Sequence, residues 1–72
     1  MAELRFFGYL SDLVGTRIKE FRLEHPVTLR ELVPSTFPET SIIILINQKA
    51  GSLDSEIKDQ DSVALMPVLS GG

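Results

Sequence analysis

The residues whose types most clearly suggest a chemical role lie at the carboxyl terminus, where the sequence reads Ser70-Gly71-Gly72. Glycine has no Cβ, so a diglycine segment can lie close to another backbone and pass through a narrow channel. An extended arm from Val68 to Gly72 reaches roughly 15–18 Å, enough to carry the Gly72 carboxylate into the active site of a partner. The alternative is an ordinary frayed terminus that happens to end in glycine.

Other reactive groups are scarce in the 72 residues. The sequence has no cysteine and a single histidine, His25, so we expect no disulfide, no thiol nucleophile and no metal site. His25 stands beside Pro26, and we interpret it as a solvated turn residue. We also find no general base and no phosphate-binding loop, so we predict a protein that is not an enzyme by itself and binds no cofactor stably.

Length and charge limit the possible partners. A chain of 72 residues is one small domain. The formal net charge is −3 and the seven basic residues are scattered, which argues against binding to nucleic acid. The longest apolar run, residues 42–46, is too short to span a bilayer, and the first residues lack the pattern of a signal peptide. We therefore expect a cytoplasmic protein with no membrane contact.

Four segments have the alternating or β-branched pattern of strands. They are residues 2–9, 17–24, 42–46 and 62–67. In the first strand, the two-residue period places Ala2, Leu4, Phe6 and Gly8 on one face and Phe7 on the other. The run 42–46 is apolar on both faces, so it is either covered on both sides or has an exposed apolar outer face.

Two helical segments are predicted between these strands. Residues 10–15 have helical spacing and end at Gly15, which predicts a short helical turn that closes one end of the core. Thr28 and Glu31 form a capping box, which predicts that the main helix begins at Thr28. Pro34 should end this helix early. Residues 35–40 should be irregular, and residues 52–58 a loop with an edge strand or a single helical turn.

The order strand, strand, helix, strand, short edge, strand predicts an α+β fold. The economical way to bury this pattern is one main helix packed across one face of a mixed sheet, with the first and last strands adjacent at the centre. This is the ubiquitin-like β-grasp arrangement. We assign residues 1–67 to the β-grasp domain and residues 68–72 to a flexible tail that ends in Gly-Gly.

With this topology and the terminal diglycine, the chain resembles the MoaD/ThiS family of ubiquitin-like sulfur carriers, and within it the molybdopterin synthase small subunits. Three segments carry the resemblance, in order and over nearly the whole chain. They are Phe6-Phe7-Gly8 with Leu13-Val14-Gly15, then Ile46-Asn47-Gln48, then residues 59–64 running on to Met66-Pro67-Val68-Leu69-Ser70-Gly71-Gly72. The chain departs from the family at Pro34, which shortens the helix, and at Leu65-Met66, where the family often has aromatic residues.

The resemblance implies a chemistry for the tail. A partner similar to ubiquitin-activating enzymes would consume ATP to adenylate Gly72, and a sulfur donor would convert it to a thiocarboxylate. Gly71 would keep the arm thin enough to pass. In the molybdopterin branch, the tail would enter the large subunit of molybdopterin synthase and give up its sulfur in molybdenum cofactor biosynthesis. The alternatives are a sulfur carrier of the thiamine pathway, a ubiquitin-like modifier joined to proteins through Gly72, and a binding module whose glycines are accidental.

Four residues near the tail are candidates for partner binding. If the core covers Val63 and Leu65, the two-residue period leaves Met66 exposed on the opposite face, and Phe7 lies on a similar outer face. Pro67 and Leu69 flank the start of the tail. Methionine surfaces suit adaptable docking, although ordinary packing is the alternative. Asp59 and Asp61 are interpreted as turn formers.

Overall fold

The computed structural model describes residues 1–68, and within them two helical segments lie among seven strands. The strands are β1 (Ala2–Phe6), β2 (Ile18–Phe21), β3 (Val27–Thr28), β4 (Ile42–Ile46), β5 (Lys49–Ala50), β6 (Glu56–Ile57) and β7 (Ser62–Pro67). The α-helix α1 spans Tyr9–Val14, and a 3-10 turn spans Leu29–Leu32.

Five strands form a mixed sheet in the order β2-β1-β7-β4-β5. The first and last strands are parallel neighbours at its centre, with Leu4 opposite Val63 and Phe6 opposite Leu65. The other pairs in the sheet are antiparallel, and β3 pairs with β6 in a separate two-stranded sheet. The predicted β-grasp topology is confirmed. Of the two alternatives left open for residues 52–58, the structure contains a short strand, β6, which pairs with β3 and not with the five-stranded sheet.

The core lies on one face of the sheet and follows the two-residue period. Within residues 1–68 the buried apolar side chains are Ala2, Leu4, Phe6, Leu10, Leu29, Phe37, Ile44, Leu53, Ile57, Val63 and Leu65. Phe37 meets Phe6 edge to face, with ring centroids 6.0 Å apart. The segment expected to be irregular therefore supplies a core residue that strand and helix patterns do not indicate.

The helical segments differ from the prediction in size. The helix expected from Thr28 to Pro34 is a 3-10 turn of four residues that ends at Leu32. The capping box is confirmed, since the backbone N–H and the hydroxyl of Thr28 each donate to Glu31 Oε2 at 2.9 Å. Pro34 has no N–H with which to continue a helix, which explains the early end. The α-helix that packs on the sheet is instead α1.

Helix α1 ends as its sequence predicts. Gly15 adopts the left-handed conformation at φ 91°, and its N–H donates to the carbonyl of Ser11 at 2.8 Å. Leu10 is the fully buried residue of this helix. It closes one end of the core, as expected. Among residues 1–68, no helix has the length and apolar character needed to cross a membrane.

Strand boundaries were overestimated at two places. The first strand ends at Phe6 and not at residue 9, because Gly8 adopts φ 57° and ψ −141° and turns the chain into α1. The second strand covers Ile18–Phe21 within the predicted range 17–24. The last strand, Ser62–Pro67, has the predicted bounds.

Candidate functional site

The base of the tail is tied to the sheet at the end of β7. Strand β7 carries the chain to Pro67, and the N–H of Val68 then donates to the carbonyl of Ser41 at 3.0 Å. This bond ties the last described residue to the segment just before β4. The predicted site residues Leu69, Gly71 and Gly72 lie outside the described residues, so their roles stay predictions.

The turn before α1 packs against the tail base. A Cβ built on Gly8 would lie 3.0 Å from Cγ of Pro67. Backbone at φ 57° and ψ −141° is also open only to glycine. Gly8 therefore allows the close approach between the start of α1 and Pro67. The N–H of Phe7, which donates to the carbonyl of Leu65 at 2.9 Å, holds the same junction.

The face of the five-stranded sheet opposite the core, called here the outer face, is apolar near the tail. Its row closest to Pro67 contains Phe7, Met66 and Ile43, with Ile43 directly opposite Met66. Phe7 is 46% exposed and Ile43 is 42% exposed. Met66 is half-buried rather than exposed as predicted, because it shares the face with a large neighbour on β4. The structure thus brings Phe7, Met66 and Pro67 together at the tail base.

Sequence reasoning missed several members of this face. Ile18 is 48% exposed and Val68 is 47% exposed, while Leu45 is half-buried on the outer side of β4. The sequence signal for this face is the run 42–46, which is apolar at every position. Its even-numbered residues face the core, and the odd-numbered Ile43 is exposed. Of the two interpretations of this strand, covered on both sides or apolar on an exposed outer face, the second is therefore correct.

Arg5 interrupts the apolar outer face. Its Nε donates to Oε1 of Glu3 at 2.8 Å, and its side chain separates two grooves of about 440 and 430 Å³. The first groove runs toward the β4–β5 hairpin and is lined partly by Leu45 and Ser62. The second lies between β1, β2 and α1. The second groove lies nearer the tail base, since Phe7 and Gly8 line it, and the first lies toward Ser62.

The acidic residues predicted as turn formers lie at the opposite end of β7 from the tail. Asp61 accepts hydrogen bonds from the Lys58 N–H at 2.8 Å and from the Asn47 amide at 2.9 Å, and these bonds lower its pKa. Asp59 accepts the N–H of Leu23 at 2.8 Å, which lowers its pKa in the same way. Both carboxylates stabilise loops, and the turn interpretation is confirmed.

Within residues 1–68 the side chains do not assemble a metal centre. No three His, Cys, Asp or Glu residues of this part of the chain lie close enough to hold a metal ion. His25 is exposed, and its Nδ1 lies 3.2 Å from the carbonyl of Pro26. The described site is a surface for contact, joined to the base of a tail.

The chain shares its fold with solved structures over almost its full length. SAMP1 from Haloferax volcanii superposes with a TM-score of 0.73 at 21% identity, covering 99% of this chain and 98% of that one. A second structure, of H. volcanii small archaeal modifier protein 1, gives 0.72 at 18% identity, with 94% and 97% covered. A proposed molybdopterin converting factor, subunit 1, from Pyrococcus furiosus gives 0.68 at 21% identity, again with 94% and 97% covered.

Sequence comparison assigns the family. No curated protein matches the chain closely enough to count as a relative. The model of the ThiS family, however, matches residues 4–72, which include the three segments that carry the resemblance and the diglycine. The chain therefore belongs to the ThiS family.

Proposed function

We propose that the protein is a sulfur carrier activated at the carboxyl group of Gly72, and that it serves as the small subunit of molybdopterin synthase in molybdenum cofactor biosynthesis. The observation that carries this proposal is the family match, which continues through Gly71 and Gly72. The fold similarity to a proposed molybdopterin converting factor subunit favours the molybdopterin branch. The need for ATP is consistent with a cytoplasmic location.

The proposed reaction begins with an unreactive carboxylate. The Gly72 carboxylate oxygen attacks the α-phosphorus of ATP, pyrophosphate leaves, and the product is an acyl-adenylate. A donor that delivers sulfur at the oxidation level of sulfide then attacks the carbonyl carbon, and AMP leaves. The result is a thiocarboxylate on Gly72. Partners supply ATP binding and the catalytic groups, and this chain supplies the reacting carboxyl group.

The outer face supports this proposal because it offers a docking surface next to the tail base. Exposed apolar residues that lie together often mark a protein interface, and Phe7, Ile43 and Val68 are 46%, 42% and 47% exposed. An adenylating enzyme or a synthase large subunit that covers this face would lie next to the point where the tail begins. Because the tail can reach roughly 15–18 Å, the catalytic centre can lie well inside the partner.

Reconstitution with a cognate adenylating enzyme tests the proposal. With ATP and a sulfur donor, the intact mass of the protein should rise by the difference between one sulfur and one oxygen atom. The thiocarboxylate form should then bind a molybdopterin synthase large subunit and convert the cyclic pterin precursor. Formation of the thiocarboxylate with transfer only to a thiazole synthase would assign the carrier to the thiamine pathway instead.

A second function is favoured by a specific observation, the fold similarity to small archaeal modifier protein 1. A modifier would pass its activated Gly72 carbonyl to the amine of a lysine on another protein and release AMP. The sequence contains no lysine or arginine after Lys58. Trypsin would therefore leave residues 59–72 attached to each modified lysine, and mass spectrometry of proteins from the native host detects this remnant directly.

A further inference from the structure

The groove between β1, β2 and α1 combines apolar walls with positive charge. Its lining includes Phe7 and Ile18, which are 46% and 48% exposed, together with Gly8 and Ser11. Arg5 and Arg17 also line it. No carboxylate lines this groove in the described part of the chain, although the whole protein has a net charge of −3. The groove, called here the two-arginine groove, is thus a local exception to the acidic surface.

The two guanidinium groups have unused hydrogen-bonding capacity. Glu3 accepts a hydrogen bond from Nε of Arg5, but it lines the other groove. Arg17 forms no ion pair with any residue between 1 and 68. Asp12 shares a shallow depression with Arg17 without forming an ion pair. The terminal amino groups of two arginines are therefore available to a ligand between Phe7 and Ile18.

Docking on the outer face imposes a requirement on the partner. A partner that covers Phe7 and Ile18 also removes water from Arg17, which has no ion pair within residues 1–68, and from the terminal amino groups of Arg5, whose Nε is bonded to Glu3. Burying a charged group without an opposite charge is strongly unfavourable, whereas a carboxylate can accept two parallel N–H bonds from a guanidinium. We propose that the two-arginine groove receives an acidic side chain, Asp or Glu, of the adenylating partner. This inference rests on the proposed activation at Gly72 and adds the chemistry of partner recognition.

Adenylation kinetics test the proposal. Exchange of pyrophosphate into ATP is measured with the adenylating enzyme at increasing concentrations of this protein. The variants are Arg5→Gln, Arg17→Gln and the double variant. Arg22→Gln is the matched control, because Arg22 is exposed and lies outside the groove. Thermal unfolding confirms that each variant is folded, and a fourth variant with lysine at both positions retains the charge but not the planar fork.

The double glutamine variant should raise KM for this protein by about tenfold, with kcat within about twofold, because the arginines bind the partner and do not approach the reacting carbon. Added salt should raise the wild-type KM more than that of the double variant. The KM of the double lysine variant should lie between those of the wild type and the double glutamine variant, and the KM of Arg22→Gln should match that of the wild type. Equal KM values and salt dependence for the double variant and the wild type would overturn the acidic-partner proposal while leaving activation at Gly72 standing. A wild-type protein that is never adenylated would overturn both.

Discussion

At the scale of single residues, the β4–β5 hairpin contains a strained position. Its two-residue loop is Asn47-Gln48, with φ of 50° and 70°, the signs of a type I′ turn that prefers glycine at the second position. Asn47 is anchored because its amide group donates to Asp61 and accepts the Ser62 N–H. Gln48 has no hydrogen bond in the described part of the chain that compensates for its conformation.

We expect Gln48→Gly to stabilise the protein by about 0.5–1 kcal/mol, because relief of the left-handed backbone outweighs the greater freedom of glycine in the unfolded chain. Chemical denaturation measures the change. Gln60→Gly is the matched control, since Gln60 does not have positive φ, and it should destabilise the protein slightly. A loss of stability in Gln48→Gly equal to that of Gln60→Gly would contradict the assignment of strain.

A comparison of substitutions at Gly8 and Gly15 separates the cost of backbone strain from the cost of a packing clash. Both have positive φ, but only at Gly8 would a Cβ meet the tail base, 3.0 Å from Pro67; at Gly15 it would meet nothing within 4 Å. We expect Gly15→Ala to cost about 1 kcal/mol from conformation alone, and Gly8→Ala to cost about 2–3 kcal/mol. Denaturation of the two variants side by side measures the difference. Equal costs would show that the contact with Pro67 is not important.

At the scale of elements, acidic side chains hold the loops that join the strands. Asp59, Asp61 and Glu31 accept hydrogen bonds that lower their pKa values below the ordinary 3.8 for aspartate and 4.5 for glutamate. A carboxylate with a lowered pKa in the folded state stabilises the fold fully above its unfolded pKa. That contribution is lost as pH falls through the folded pKa.

The free energy of unfolding should therefore stay nearly constant from pH 7 to about pH 5 and decrease at lower pH. Asp61→Asn should be less stable at pH 7 and should show a shallower acid slope, because one of the shifted carboxyl groups is gone. Asp12→Asn is the control, since Asp12 is exposed and forms no hydrogen bond or ion pair within residues 1–68. Urea denaturation across pH gives both slopes, and equal slopes in Asp61→Asn and the wild type would refute the role of Asp61.

Local sequence patterns predicted some elements of the fold and missed others. The two-residue period located β1 and β7 because one face of each strand packs on the core, whereas the β-branched apolar run 42–46 located β4. The capping box at Thr28 located the start of the 3-10 turn, but it does not determine how far the turn continues toward Pro34. Phe37 and Leu53 are buried from loops, and no periodic pattern indicates tertiary packing of that kind. Likewise, Met66 suggested docking, while Ile43 and Arg5 enter the site only through strand pairing.

At the scale of the whole molecule, the outer face is divided between an apolar end near the tail and a polar end near Ser62. We expect Ile43→Arg to weaken binding to the adenylating enzyme by about 2 kcal/mol, because the new charge must lose water inside the interface. Met66→Arg should have a similar effect, with a small added loss of stability because Met66 is half-buried. Ser62→Arg, at the polar end of the same face, is the control. Titration calorimetry that finds equal affinities for Ile43→Arg and Ser62→Arg would exclude the apolar end as the docking surface.

The proposed chemistry depends on the carboxyl group of Gly72, and a set of tail variants addresses it without altering the core. One residue added after Gly72 converts that carboxyl group to an amide and moves the new carboxylate about 3.5 Å onward. Deletion of Gly72 shortens the arm by the same length. Gly71→Val places a β-branched side chain where only backbone should pass. These changes should leave stability within about 0.5 kcal/mol of the parent.

The most direct measurement is the formation of the thiocarboxylate on these variants. Each protein is incubated with the adenylating enzyme, ATP and a sulfur donor, and its intact mass is recorded over time. The parent should gain the mass of one oxygen-to-sulfur exchange. The extended and shortened proteins should not gain this mass at the rate of the parent, because a misplaced carboxylate loses the geometry that adenylation requires. Modification of the extended or shortened protein as fast as the parent would contradict activation at Gly72, for the carrier and the modifier alike.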